Sequence, residues 1–229
     1  MPNAPMVRAF FDEATNSVTH LVWDAATRRG AVIDPVLDRD NRSGEAGTDG
    51  VDRVLAAAAA EVTLDWVLET HVHADHLTAS PYVKARTGAR IGIGERIMEV
   101  QAIFRPAFDA DDLKPEGGDF DRPFADGERV LQGSLPVEVL HVPGHTPACI
   151  ACHMGDAVFV GDTLFVPDYG TAHCDFPGGD AHAMWRSIRR LLALPPETRI
   201  FVGHDDKAPG RDAFARETTV AEERARARM

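Results

Sequence analysis

Four apolar, strand-like runs in this sequence end within three residues of a side chain that can bind a metal ion. The runs are 67–70, 137–142, 157–160 and 199–202, and the side chains that follow them are His71, His145, Asp162 and His204. Glycine directly precedes the last three of these residues, and it permits tight turns that a Cβ atom would obstruct. Loops at strand ends can aim several side chains at one point. The sequence therefore predicts sheets whose strand ends share one polar centre.

The first of these positions opens a dense group of possible ligands. Segment 71–76 reads HVHADH, so it brings His73, Asp75 and His76 into the same turn as His71. Neutral imidazoles and a carboxylate are donors that zinc and ferrous iron accept. A histidine-rich surface loop is the alternative interpretation, and the three matching positions further along the chain argue against it.

The distribution of strand and helix patterns predicts an α+β fold. Short runs rich in β-branched and aromatic residues predict strands at 7–11, 17–23, 30–33, 64–69, 90–93, 137–142, 149–153, 157–160 and 199–202. Helical patterns occupy 51–60, 79–87, 95–104, 181–194 and the tail 217–229, whereas 38–50 and 109–128 read as loops. The order suggests helices outside two packed sheets. Nothing reads as a linker between two cores, so we expect one domain over 1–229.

Charge and apolar content restrict the partners of the chain. Asp and Glu number 36 against 24 Lys and Arg, which gives a net charge of −12 and disfavours nucleic acid and anionic membranes. No apolar run approaches the roughly 18 residues that span a bilayer. The first residues lack a signal-peptide pattern, and three cysteines cannot form a disulfide framework. These features predict a cytoplasmic location.

The ligand motifs, taken in order, resemble those of a known superfamily. HVHADH at 71–76, GHT at 144–146, GDT at 161–163 and GHD at 203–205 are similar to the motifs of the metallo-β-lactamase superfamily. The resemblance implies an αββα sandwich, in which two mixed β-sheets pack face to face with helices outside. It also implies a metal site along one edge of the sandwich.

The flanks of these motifs resemble one branch of that superfamily. THVHADHLTAS at 70–80, PGHTPAC at 143–149 and CDFPGGD at 174–180 are similar to the bacterial persulfide dioxygenases, in particular the branch called β-lactamase hydrolase-like proteins. This resemblance implies oxidation of glutathione persulfide, or a similar low-molecular-weight persulfide, by O₂ to sulfite and the free thiol in sulfide detoxification. It implies one Fe(II) per chain, held by His71, His145 and Asp162.

The remaining candidate ligands leave the metal content open. In a one-iron site, His73, Asp75, His76 and His204 would surround the three ligands and orient them. In dinuclear zinc members such as glyoxalase II, all seven residues bind two Zn(II) ions, and Asp162 would bridge them. A dinuclear zinc hydrolase of a thioester or related acyl bond is therefore the second hypothesis. A metal-binding module without turnover is the third.

The substrate-binding residues follow less directly from the pattern. Tyr169, Lys207 and Arg211 lie near the ligand loops in sequence, and we expect them to bind the carboxylates of a thiol tripeptide. Relatives commonly have tyrosine two residues after the last histidine, where this chain has Asp206. We expect Asp206 to point away from the metal or to pair with Lys207 or Arg211. The expected partners are a small persulfide and O₂, with a homodimer possible.

Overall fold

The computed structural model describes residues 4–40, 42–72, 75–107, 109 and 118–226. Its strands are β1 (Met6–Asp12), β2 (Ser17–Trp23), β3 (Arg29–Ile33), β4 (Asp38–Arg39), β5 (Ala46–Gly47), β6 (Thr63–Leu68), β7 (Arg90–Gly94), β8 (Arg122–Phe124), β9 (Arg129–Gln132), β10 (Leu135–His141), β11 (Ile150–Met154), β12 (Ala157–Phe159), β13 (Arg199–Phe201) and β14 (Glu217–Thr219). Its helices are α1 (Asp49–Glu61), α2 (Ser80–Thr87), α3 (Ile97–Ala107), α4 (Ala181–Leu191) and α5 (Val220–Arg226), with a 3-10 helix at Gly161–Thr163. None of the helices within these ranges is long and apolar enough to cross a membrane.

The strands form two six-stranded mixed sheets and a small β4–β5 pair. The first sheet has the order β1-β2-β3-β6-β7-β8, with antiparallel pairs up to β3 and parallel pairs from β3 onward. The second has the order β14-β13-β12-β11-β10-β9, and only its β12–β13 pair is parallel among the described strands. Parallel neighbours end at the same edge of a sheet, so their following loops lie side by side.

The two sheets pack face to face through an apolar interior. Val22 and Ile33 of the first sheet share a buried cluster with Phe159 and Phe201 of the second. His20 of β2 crosses this interface, since its Nε2 lies 3.0 Å from the Val202 carbonyl oxygen and its ring lies edge-on to both phenylalanines. Burial lowers the pKa of His20 to about 4, so this histidine is a neutral part of the core.

Helices cover the outer faces of both sheets. Val51 and Val54 of α1 join the cluster on the outer face of the first sheet. Met184 and Ile188 of α4 join the cluster on the outer face of the second. The Asp180 side chain caps α4 by accepting bonds from the backbone N–H groups of His182 and Ala183. The order helix, sheet, sheet, helix confirms the αββα sandwich that the sequence implied.

Three short pairings lie in stretches that the sequence predicts to be loop or helix. Strand β8 lies within the stretch 109–128 that reads as irregular, and the β4–β5 pair lies within the loop 38–50. Strand β14 begins the tail that reads as a helix, because Thr218 pairs with Ile200 at the sheet edge before α5 begins. Strands of two or three residues are too short to carry an alternating pattern, so long-range pairing decides them. Residues 110–117 and 227–229 of the predicted loop and tail lie outside the described residues.

Candidate metal centre

Strand ends from both sheets deliver three buried side chains to one point. His71 follows β6, His145 lies in the turn between β10 and β11, and Asp162 lies in the 3-10 helix after β12. One possible ligand atom of each residue lies within 4.8 Å of the others. His71 Nε2 is 3.6 Å and His145 Nε2 is 3.9 Å from Asp162 Oδ2. This is the triad that the resemblance assigned to iron.

A second group of possible ligands adjoins the first. Asp75, His76 and His204 also offer atoms within 4.8 Å of one another. Asp75 Oδ2 lies 3.4 Å from His204 Nε2 and 3.3 Å from His76 Nδ1. Asp162 Oδ1 is 3.7 Å from His204 Nε2, so Asp162 lies between the two groups. His73, the seventh candidate, lies outside the described residues.

Two glycines allow these loops to approach closely. Gly161 has a φ of +51°, and a Cβ atom there would overlap the Thr70 hydroxyl beside His71. A Cβ atom on Gly203 would lie 2.8 Å from Asp162 Oδ1. Larger residues at either position would therefore push the ligand loops apart. This confirms the physical reason for glycine before Asp162 and His204.

A chain of hydrogen bonds orients His71. The Thr70 backbone N–H and hydroxyl donate to the two oxygens of Asp34, at 2.7 and 2.8 Å. The same hydroxyl oxygen, 3.0 Å from His71 Nδ1, can then accept from that ring nitrogen. A proton on Nδ1 leaves the lone pair of Nε2 facing Asp162. The sequence pattern did not single out Asp34, although Asp34 directly follows β3 as the ligands follow their own strands.

A backbone carbonyl orients His145 in the same way. His145 Nδ1 lies 2.8 Å from the carbonyl oxygen of His173, which leaves His145 Nε2 toward Asp162. The Phe176 ring lies edge-on to His145, with 5.4 Å between ring centroids. The His173 side chain is exposed and pairs with Asp175. The segment 173–176 therefore supports one wall of the site, and only its tertiary placement reveals the role of the His173 carbonyl.

The polar atoms of the centre fit a metal ion. Asp162 Oδ1 and His204 Nε2 are buried, and neither has a hydrogen-bond partner among the described residues. An unpartnered buried polar atom costs roughly 1–3 kcal/mol, which a bound cation would offset. Two imidazoles and one carboxylate suit either ferrous iron or zinc. The residues thus form a metal centre whose metal the donor set alone does not select.

A cavity of about 520 Å³ opens onto this centre. His145, Asp162 and His204 border it at the metal centre, and Phe165, Tyr169 and Phe176 form an aromatic wall. The rest of its described lining is Thr15, Asp75, Thr171, Ala172, His173 and Asp206. A cavity with ligand atoms on one side and aromatic rings on another is typical of a small-molecule site.

The superfamily profile described as metallo-β-lactamase matches residues 13–204. The chain belongs to the metallo-β-lactamase superfamily. A protein of *Burkholderia pseudomallei* named probable metallo-hydrolase is 46% identical over 95% of this chain and 78% of its own length. The β-lactamase hydrolase-like protein of *Xylella fastidiosa* is 45% identical over 96% of this chain, which spans only 51% of that relative. The crystal structure of ETHE1 from *Myxococcus xanthus* has a TM-score of 0.75 and 33% identity, over 97% of this chain and 83% of that one.

Of the three residues predicted to bind substrate in this superfamily member, the structure brings only Tyr169 to the cavity. Arg211 pairs with Asp205 and also donates from Nε to Asp168 at 2.9 Å. Lys207 lies with its Nζ 4.1 Å from the centre of the Phe214 ring. Neither cation is among the described residues that line the cavity. Both side chains contact neighbouring loop residues instead, and their role in substrate binding stays a prediction.

Asp206 faces the cavity, contrary to the expectation that it points away or pairs with a cation. Its Oδ1 accepts a 2.8 Å hydrogen bond from the Asn16 amide. It also neighbours Tyr169, whose pKa is raised by partial burial and by the charge and hydrogen bond of Asp206. In the described part of the chain, neither Lys207 nor Arg211 forms an ion pair with this carboxylate.

The two buried cysteines near the site are structural. Cys149 and Cys152 are buried, and burial raises the pKa of each thiol to about 12. The Cys149 sulfur lies 3.1 Å from the Thr146 hydroxyl in the turn that carries His145. Thiols with such a raised pKa are poor nucleophiles and poor ligands. The CxxC spacing of Cys149 and Cys152 therefore reflects packing of β11 and of the residue directly before it.

Proposed function

We propose that this protein is an Fe(II)-dependent persulfide dioxygenase that oxidises glutathione persulfide, or a similar small persulfide. The observation that carries the proposal is the position of the flanks that resemble that branch. Phe176 lies within the stretch 174–180, and His173 directly precedes this stretch. The rings of both residues contact the His145 ring, and His145 itself lies in the stretch 143–149. The residues that distinguish the branch therefore lie against the metal centre. The similarity to ETHE1 supports the same assignment.

The reaction balances with water as the third reactant. One persulfide, one O₂ and one water give one thiol, one sulfite and two protons. The terminal sulfur loses four electrons, O₂ gains four, and the S–S bond breaks. Fe(II), when bound by His71, His145 and Asp162, supplies open coordination positions for this oxidation.

The protein's own residues position the reactants. Asp34 and Thr70 hold the His71 ring, and the His173 carbonyl holds the His145 ring. The aromatic wall of Phe165 and Phe176 limits water around the reacting sulfur. Held in this way, the ligand side chains lose little freedom when the metal binds.

The first test is metal content combined with oxygen uptake. Protein purified from iron-replete cells without added metal should contain about one iron per chain, because three donors form the proposed iron set. It should consume O₂ and release sulfite when glutathione persulfide is added, whereas His145→Ala should do neither. Two zinc ions per chain together with no oxygen uptake would contradict the proposal.

A dinuclear zinc hydrolase is the second candidate, and the group Asp75, His76 and His204 favours it. Asp162 lies between the two ligand groups, where a bridging carboxylate would lie. The name of the *Burkholderia pseudomallei* relative, a probable metallo-hydrolase, points the same way. Zinc-loaded protein would then hydrolyse a glutathione thioester at rates that the iron-loaded protein does not reach. Failure of both reactions would leave a metal-binding module without turnover.

Ligand variants separate the one-metal and two-metal sites. In the one-iron site, His145→Ala should abolish iron retention, because it removes one of three protein donors. His204→Ala should leave most of the iron bound and lower activity roughly 10–100-fold, as expected for a group that only orients the ligands. Elemental analysis of both purified variants measures this difference. Equal loss of metal in the two variants would favour the dinuclear site.

A further inference from the structure

The cavity above the metal centre carries one carboxylate that belongs to neither group of possible metal ligands. Its described lining contains three carboxylates, Asp75, Asp162 and Asp206, and no lysine or arginine. Asp162 belongs to the first ligand group and Asp75 to the second. Asp206 belongs to neither group, so its carboxylate can interact with a substrate bound in the cavity.

The surroundings of Asp206 leave this charge uncompensated within the described residues. Its bond from Asn16 comes from a neutral amide, and its other neighbour, Tyr169, is also neutral. Arg211 is held by Asp205 and Asp168, and Lys207 lies over Phe214 and donates to the Asp212 carbonyl at 3.5 Å. Lys207 and Arg211, the two cationic residues that follow Asp206 in sequence, are therefore held by other groups.

The electrostatics favour a cationic group on the substrate. A substrate carboxylate at this end of the cavity would meet a like charge, and no described lysine or arginine of the lining would offset the repulsion. An ammonium group would donate a charge-assisted hydrogen bond to the Asp206 carboxylate. Asp162 Oδ1 and His204 Nε2, which are buried and have no hydrogen-bond partner among the described residues, border the same cavity and mark it as a ligand site.

We propose that Asp206, together with the Tyr169 hydroxyl, binds the ammonium group of the thiol that carries the persulfide. This inference rests on the proposed function and adds a substrate class to it, namely aminothiol persulfides. Glutathione fits through the free amine of its γ-glutamyl residue. A thiol that carries only carboxylates does not fit.

The test compares two substrates that differ at the amine. Glutathione persulfide carries the ammonium group, and N-acetylglutathione persulfide lacks it. Wild-type protein should show a kcat/KM about tenfold higher for the first, at the low end for a hydrogen bond to a charged group because Asp206 is exposed. Asp206→Asn should bring this ratio close to one by lowering the glutathione value, since an amide still accepts the bond from Asn16.

A matched control and a reversed charge sharpen the result. Asp212→Asn removes the same charge from the same loop outside the cavity lining, so it should keep the tenfold ratio. Asp206→Lys should reverse the preference. A ratio that persists in Asp206→Asn would mean that the bulk of the acetyl group causes it, and this would overturn the proposal.

A binding measurement separates this inference from the proposed function. Titration calorimetry of metal-loaded protein with plain glutathione and N-acetylglutathione should show the same preference without turnover. Equal affinities together with equal kcat/KM values would refute the role of Asp206 and leave the dioxygenase intact. Absence of persulfide oxidation, with a retained calorimetric preference, would refute the dioxygenase and leave the ammonium site.

Discussion

At the scale of single residues, the geometry of the metal centre depends on the residues that orient the ligands as well as on the ligands themselves. His71 and His145 each use Nδ1 for a hydrogen bond that leaves Nε2 facing Asp162. Thr70 carries this function for His71, because its hydroxyl contacts both Asp34 and the ring. Local sequence could indicate Asp34 by its place after β3. It could not indicate that the carbonyl of His173, 28 residues after His145, would hold that ring.

Thr70→Val provides a test at this scale. Valine keeps the shape of threonine but removes the hydroxyl, so the His71 ring loses its anchor. We expect metal affinity to fall roughly 10–100-fold, measured by competition with a chelator. Thr87→Val is the control, since Thr87 makes a comparable hydrogen bond to the Val83 carbonyl in α2, remote from the ligand loops. An unchanged affinity in Thr70→Val would show that the ring needs no such anchor.

At the scale of elements, some boundaries followed a local sequence signal and others did not. Strand β2 spans Ser17–Trp23 as predicted, and α2 ends at Thr87, directly before Gly88, which adopts the left-handed conformation with a φ of +76°. The helix predicted for the tail 217–229 was wrong at its start, because β14 pairs with β13 before α5 begins. Helix α5 then buries Glu223, both of whose carboxylate oxygens have no hydrogen-bond partner among the described residues.

Glu223 makes the stability of this element depend on pH. Burial, together with the charges of Glu222 and Asp168, raises the pKa of Glu223 to about 7. The folded state therefore prefers the neutral acid. The stabilisation that the neutral Glu223 side chain provides is complete below about pH 4.5, the ordinary pKa of glutamate. It is lost as the pH rises through about 7, where the folded protein ionises this group.

Glu223→Gln should remove this dependence. Glutamine cannot ionise, so the Tm should rise by about 3 °C at pH 8 and change little at pH 5. Thermal unfolding followed by circular dichroism at the two pH values measures the effect. Glu217→Gln, an exposed neighbour on β14, should change the Tm equally at both values. An equal shift at both values in Glu223→Gln would contradict the assignment.

At the scale of the whole molecule, the metal centre exists only where the two sheets meet. His71 comes from the first sheet, whereas His145, Asp162 and His204 come from the second. Backbone bonds join the sheets at this edge, from Ile150 N–H to the Thr70 carbonyl and from Val18 N–H to the Gly203 carbonyl, both at 2.8 Å. The complete metal centre therefore requires both sheets to be folded, and bound metal stabilises the complete sandwich by mass action.

Features that depend on neighbours along the chain can be predicted from the sequence alone. An apolar run, a glycine and a ligand lie within a few residues, so local pattern predicts the strands that end at His71, His145, Asp162 and His204. The tertiary structure alone decided the features that join distant segments. It placed Arg211 on Asp168 instead of in the cavity and joined Asp206 to Asn16 across 190 residues. The reason is physical: local conformation follows from adjacent side chains, whereas the partner of a charged group depends on which loops the sheet topology brings together.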